Sequence, residues 1–239
     1  MARTKMTRHQ LKEQDEITTS LQRVTEFAVN RQKELIIAGV ALLVIVLAVI
    51  GWTLYSSSRN TQAQIQLSET IRVFNDTTKA DKERFEATIA EAQKTVDAYG
   101  SLPVGAIAQY YIGLSQEGLG NTPKALETLQ ATIDRGEPII KGVAQFALAG
   151  IHKKHGDSPK AVAAYKQLYD SGDYSKSAVA FELATLFEAT EQPNQAVEYY
   201  QKLVSEFPES PFRQYADEAL KRLGVPAPAP APAAAPNPS

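Results

Sequence analysis

Cysteine is missing altogether and histidine occurs only three times in a chain of 239 residues. That excludes a disulfide, a thiolate nucleophile and a cysteine-ligated zinc or iron–sulfur site, and leaves little for other metal chemistry. An excess of either charge is missing too. Lys and Arg number 25 against 27 Asp and Glu, a net charge of -2, and no local cluster supplies a basic face for nucleic acid. There is no Gly-rich phosphate cradle, no G-x-S-x-G elbow and no H-E-x-x-H pair. We therefore expect no enzyme, no cofactor, no small-molecule substrate and no nucleic-acid partner. An enzyme, the reading from another class, would need a pocket of convergent titratable groups that the spacing does not suggest. The nearest approach to a metal set is His152 with His155 and Asp157. Lys153 and Lys154 lie between the imidazoles, which suit the negative end of a helix better than an ion, and no metal ligand is assigned.

What is present begins with an apolar run. Residues 35–55, LIIAGVALLVIVLAVIGWTLY, hold 21 positions without a charge, enough for one helix to cross a hydrocarbon core of about 30 Å. Trp52 and Tyr55 stand where amphipathic rings prefer the headgroup region. A cleavable signal peptide is the rival reading, but the leader before the run is long and SSSR follows it instead of a small-x-small site. Arg3, Lys5, Arg8, Lys12, Arg23, Arg31 and Lys33 precede the span, whereas only Arg59 and Arg72 occur in the 20 residues after it. The positive-inside bias puts the N-terminus in the cytoplasm and the rest across the membrane. The opposite orientation, with everything after the span in the cytosol, would be exposed by a reporter active only after export. Within the leader, residues 1–34, Ile17, Leu21, Val24 and Ala28 recur at helical spacing and predict an amphipathic helix from about residue 15. No ionisable side chain interrupts the span, so it is an anchor without the usual mark of a transport path.

Past the membrane, strand signals vanish and amphipathic stretches broken by Gly, Pro and Asx predict an all-α chain. Residues 61–99 form a degenerate helical hairpin in this reading. A period then appears in GLGNTPKALETL (118–129), KHGDSPKAVAAY (154–165) and TEQPNQAVEYY (190–200), with Ala125, Ala161 and Ala196 spaced by 36 and 35 residues. A hairpin that cannot bury its apolar face alone must stack on copies of itself. Gly113, Ala149 and Ala184 are small where first and second helices meet; Leu129, Tyr165 and Tyr200, then Thr132, Leu168 and Leu203, give the second helix a packing stripe. Pro123, Pro159 and Pro193 fit a first helical turn, and Gly120 and Gly156 a tight turn where the third copy has Glu191. The pattern resembles tetratricopeptide repeats, whose period is about 34 residues, over about 104–208. It departs where that family has aromatics: Gln109, Gln145 and Ala180 occupy the early position, Gln116, His152 and Phe187 the later one. Residues 210–223 read as a capping helix, so repeats and cap cover 104–223; the tail 225–239, VPAPAPAPAAAPNPS with six prolines, cannot form a packed core and is expected to be a disordered or polyproline-II-like Pro/Ala-rich tail.

The resemblance implies a protein-binding groove lined by first helices. Its register assigns Tyr110, Phe146 and Phe181 to one row, flanked by Ile107, Leu114, Val143, Lys153 and Glu188. Such a row either holds an apolar segment of a partner or packs between neighbouring hairpins and against the cap.

The whole layout, a leader, one anchor ending in Gly-Trp and then helical repeats opening with EAQKTVDAYGSLPVGAIAQYYIGLSQEGLGNTPKALETLQ, resembles the bacterial ancillary SecYEG translocon subunit family. Membership would imply a bitopic inner-membrane protein with a periplasmic repeat domain. Its partners would be translocon subunits, periplasmic chaperones and nascent exported chains. VEYYQKLVSEFPESPFRQYADEALKRL also resembles the C-terminal repeats of cell-envelope proteins that organise division and outer-membrane assembly, which leaves envelope coordination as an alternative.

Overall fold

The computed structural model describes residues 31–226 and 228. Among them are nine helices and no strand: α1 Gln32–Phe74, α2 Asp81–Tyr99, α3 Pro103–Gly118, α4 Thr122–Asp134, α5 Pro138–Lys154, α6 Ser158–Ser171, α7 Lys176–Ala189, α8 Pro193–Glu206 and α9 Arg213–Arg222. Most of the expected leader helix lies outside the described residues, and the tail is described only at 225, 226 and 228. The chain divides into two compact units, residues 1–59 and 60–239.

In the first unit α1 carries the apolar run. Leu42, Ile45, Val49 and Trp52 are all exposed, Trp52 at 72%. This is the one helix among the described residues long and apolar enough to cross a membrane. Its Thr53 hydroxyl donates to the Ile50 carbonyl at 2.8 Å, so this hydroxyl near the end of the span is satisfied within the helix. The sequence expectation closed the span near Tyr55; the helix itself continues through Ser56–Asn60 because nothing in SSSRN removes an N–H or forces a turn.

The second unit is a tetratricopeptide-like solenoid. The last turns of α1 meet α2 and α3 through Leu67, Ala92, Ala108 and Ile112, with the buried Thr70 and Thr95 hydroxyls 3.5 Å apart. Three hairpins follow, α3–α4, α5–α6 and α7–α8, and α9 closes the stack. Each hairpin is close because its facing residues are small. A Cβ at Gly113 would stand 2.9 Å from the Leu129 side chain, and Ala149, Ala161, Ala184 and Ala196 are fully buried. Leu129, Leu168 and Leu203 fill the gap behind them at 0% exposure. Each such side chain contributes roughly 1.5–3 kcal/mol by leaving water. Ala216, Ala219 and Leu220 of α9 bury the last apolar face, which would otherwise lie open at the end of the array.

The turns repeat atom for atom. N–H groups of Asn121, Asp157 and Gln192 donate to the carbonyls of Gln116, His152 and Phe187 at 2.8, 2.9 and 2.9 Å. This is a Schellman closure, and it requires a left-handed residue just before the donor. Gly120 (φ 78°) and Gly156 (φ 76°) supply it in two copies, and Glu191 (φ 57°) in the third. The proline in the first or second turn position of α4, α6 and α8 then restarts the helix. Where the repeat lacks its later aromatic, the replacement is polar and faces a polar side chain of this turn. Asn121 Nδ2 donates to Gln116 Oε1 at 3.0 Å, and His152 Nδ1 stands 3.8 Å from Asp157 Oδ2.

Candidate functional site: an apolar pocket between the first helices of two repeats

The stacking of the hairpins brings the first helices α3 and α5 together, and near their N-terminal ends they enclose a pocket of about 580 Å³ lined by Pro103, Ile107, Tyr110, Tyr111, Glu137, Ile140 and Val143. Its shape follows from the sequence. Pro103 and Pro138 are the first residues of their helices, a position that suits proline because its missing N–H has no intrahelical partner to lose. Ile107 with Tyr110 or Tyr111, and Ile140 with Val143, lie three or four residues apart and so share a helix face.

Tyr110 and Tyr111 meet edge to face with ring centroids 5.5 Å apart, and Tyr111 is braced from behind by Phe74 at 5.1 Å. Burial pushes the Tyr110 hydroxyl up to about 12, with Tyr111 and Tyr174 adding to the shift. Burial raises Tyr111 as well. Both phenols therefore stay protonated donors at neutral pH, and neither hydroxyl has a hydrogen-bond partner among the described residues. Glu137 is the single carboxylate of the lining. Apolar walls with a few outward donors suit an apolar chain segment whose carbonyls need partners.

Of the residues assigned to the groove by sequence, the structure brings Ile107, Tyr110 and Val143 together in this pocket. Leu114, one helical turn beyond Tyr110, is half-buried outside its lining. The other two rings of the row face protein. Phe146 stacks on Tyr174 at 4.5 Å and meets the edge of Tyr165 at 5.5 Å. Phe181 stacks on Phe212 at 4.5 Å and meets Tyr215 of the cap at 5.1 Å. The charged members bridge elements: Lys153 Nζ donates to Glu182 at 2.7 Å and to Thr185 at 3.1 Å. Glu188 accepts from the Tyr200 hydroxyl at 2.9 Å and from Arg222 at 2.6 Å. Sequence reasoning missed Tyr111 and Ile140. Ile140 precedes Val143 by one helical turn, a usable signal; Tyr111 lies off the single row that the repeat register defines. Pro103 and Glu137 were missed because they stand at the helix starts, the first residue of α3 and the cap of α5, which the row of the repeat register does not include.

The histidines separate in space. His152 turns to Asp157, whereas His155 Nε2 lies 2.9 Å from Glu117 Oε1 in the preceding repeat. Glu117 also accepts from Lys154 at 2.8 Å and from Thr122 at 2.9 Å. No group of three metal-ligating side chains lies together among the described residues. The cluster is a polar clamp between two repeats. Burial works to raise the Glu117 carboxyl, but the bonds from Lys154, His155 and Thr122 hold it below its ordinary value.

Stacked antiparallel helix pairs with matched turns and an apolar site on the first helices define an α-solenoid of the tetratricopeptide class. The chain belongs to the tetratricopeptide repeat-like domain family, whose model matches residues 30–215. No curated protein matches it. Among solved structures it is similar to a Podosopora anserina protein of nearly identical TPR-like repeats, named for kinesin light chain. The identity is 17% and the TM-score 0.53, over 68% of this chain and 85% of that one. A single-substitution variant of the same protein gives 17% identity and a TM-score of 0.52 over 68% and 84%. At this identity the likeness speaks for the fold alone. Repeats of this family make the chain a protein-interaction scaffold, and no catalytic family is indicated.

Proposed function

We propose that this protein is a membrane-tethered scaffold that captures segments of other proteins in the α3/α5 pocket, with its leader in the cytoplasm and its repeats across a bacterial inner membrane. The pocket carries this reading: its walls offer apolar contact with two tyrosines and a single carboxylate among them. The resemblance to the ancillary SecYEG translocon subunits supports the partner class, namely the protein-export channel and the exported chains that leave it, with hand-over to periplasmic chaperones. The charge bias across the span supports the orientation. Gentle detergent extraction followed by mass spectrometry of what accompanies the chain tests the partner class. Translocon subunits and chaperones are expected; recovery of division or outer-membrane assembly proteins in their place would move the scaffold to envelope coordination.

A further inference from the structure

The lining of the pocket also defines which segments it prefers. We propose that the α3/α5 pocket selects partner segments in which a Lys or Arg stands within about three residues of an apolar anchor, with the anchor held among Ile107, Tyr110 and Val143 and the cation paired with Glu137. The proposal rests on the pocket being a docking site for chain segments, and it adds the charge of the occupant.

Glu137 brings a charge that the protein itself leaves uncompensated. It is exposed at the N-cap of α5, yet its side chain makes no cap bond to the helix. The cations nearest to it in sequence are engaged elsewhere. Arg135 donates to Gln109 Oε1 at 2.9 Å and to the Gly100 carbonyl. Lys141 lies one helical turn beyond Glu137, where an i,i+4 pair could form, but its Nζ stands 3.7 Å from Asp173 Oδ2 instead. Among the described residues the Glu137 carboxylate therefore has no ion-pair partner, and it faces a pocket whose other walls are apolar or aromatic.

The two rings of the lining favour the same sign. Tyr110 and Tyr111 meet edge to face at 5.5 Å, and the faces of such rings carry the negative end of the quadrupole, which attracts a cation within about 6 Å. An acidic occupant would meet a like charge and these faces; a neutral one gains apolar contact alone. Spacing sets where the cation belongs. Val143 lies six positions after Glu137, with Ile140 between them, which is about 9 Å along α5. An extended strand covers about 3.3 Å per residue, so about three residues lead from the apolar walls to the carboxylate. Because Glu137 is exposed, water and salt screen it, and the preference is one of a few-fold in affinity that salt weakens.

The test uses the full chain in uncharged maltoside micelles, with isotope-labelled Ile and Val methyl groups, titrated with two synthetic peptides, KLLFLAK and ELLFLAE. The methyl signals of Ile107, Ile140 and Val143 are expected to move with both peptides, half-saturating at about five- to tenfold lower concentration with the lysine peptide. Glu137→Gln should shrink that preference to about twofold or less, and Glu137→Lys should turn it towards the glutamate peptide. Val179 and Val204, buried in the last repeats, should keep their signals in every titration and in both variants. Equal half-saturation by the two peptides, or a preference that survives unchanged in Glu137→Gln, would overturn the proposal while leaving the pocket a docking site. Signals that move with protein concentration before any peptide is added would also overturn it, by giving the pocket to a second copy. If neither peptide moves the three signals, the pocket reading falls with the proposal.

Discussion

The Phe181 ring lies on the Phe212 ring with centroids 4.5 Å apart and planes 13° from parallel. Phe181 occupies the same register position as Tyr110, yet Phe212 and Tyr215 of the capping segment cover it, whereas Tyr110 lines the pocket. Stacking of this kind adds about 0.5–1.5 kcal/mol to the apolar burial. Phe212→Ala should therefore lower stability by about 2 kcal/mol, read as a drop in melting temperature, while Tyr110→Ala costs clearly less. Equal losses would place Tyr110 in the core.

A second prediction concerns the three equivalent turns. Gly120 and Gly156 hold positive φ with open space where a Cβ would stand, so Gly156→Ala costs backbone energy alone, about 1 kcal/mol. Glu191 pays that cost at φ 57°. Glu191→Gly should raise stability by about 0.5 kcal/mol, seen as a higher denaturant midpoint. A lower midpoint would mean that the Glu191 side chain makes an offsetting contact.

Gly142 makes the opposite case, in which space decides. A Cβ there would overlap the Asp173 carbonyl, which belongs to the connection between α6 and α7. Backbone cannot move aside as a side chain can, so Gly142→Ala should lower stability by at least about 2 kcal/mol, measured by urea unfolding. A loss no larger than that of Gly156→Ala would show that the connection yields.

The clamp at Glu117 predicts a pH dependence. Its carboxyl is held below the ordinary value of 4.5. The folded state is thus favoured by the charged form at pH above that value, and the contribution is lost as pH falls through the lower folded pKa. Glu117→Gln should cost about 1 kcal/mol at neutral pH, and the gap to the parent protein should close as pH falls below the lowered folded pKa. A gap that persists there would assign the loss to packing.

Much of the architecture was legible because a repeated constraint leaves a repeated residue. Small residues at Gly113, Ala149 and Ala184 mark helix contact, and Pro123, Pro159 and Pro193 mark helix starts, so the hairpins could be read directly. The site was legible only in part. Register places Tyr110, Phe146 and Phe181 in one row, but it does not encode what packs over each ring. Tyr174 and Phe212, which cover the second and third, lie in connections outside the repeat pattern. The continuity of α1 past Tyr55 was hidden for another reason: serines and an asparagine look like a break, yet they carry N–H groups that a helix already under way can use.

The most direct test places a photo-crosslinking amino acid at Val143, inside the pocket, and another at Lys124, exposed on the second helix α4, in intact membranes. The account predicts adducts from position 143 with translocon subunits or newly exported chains, and few from position 124. Equal labelling from both positions, or none from 143 while the chain stays folded and membrane-bound, would contradict it.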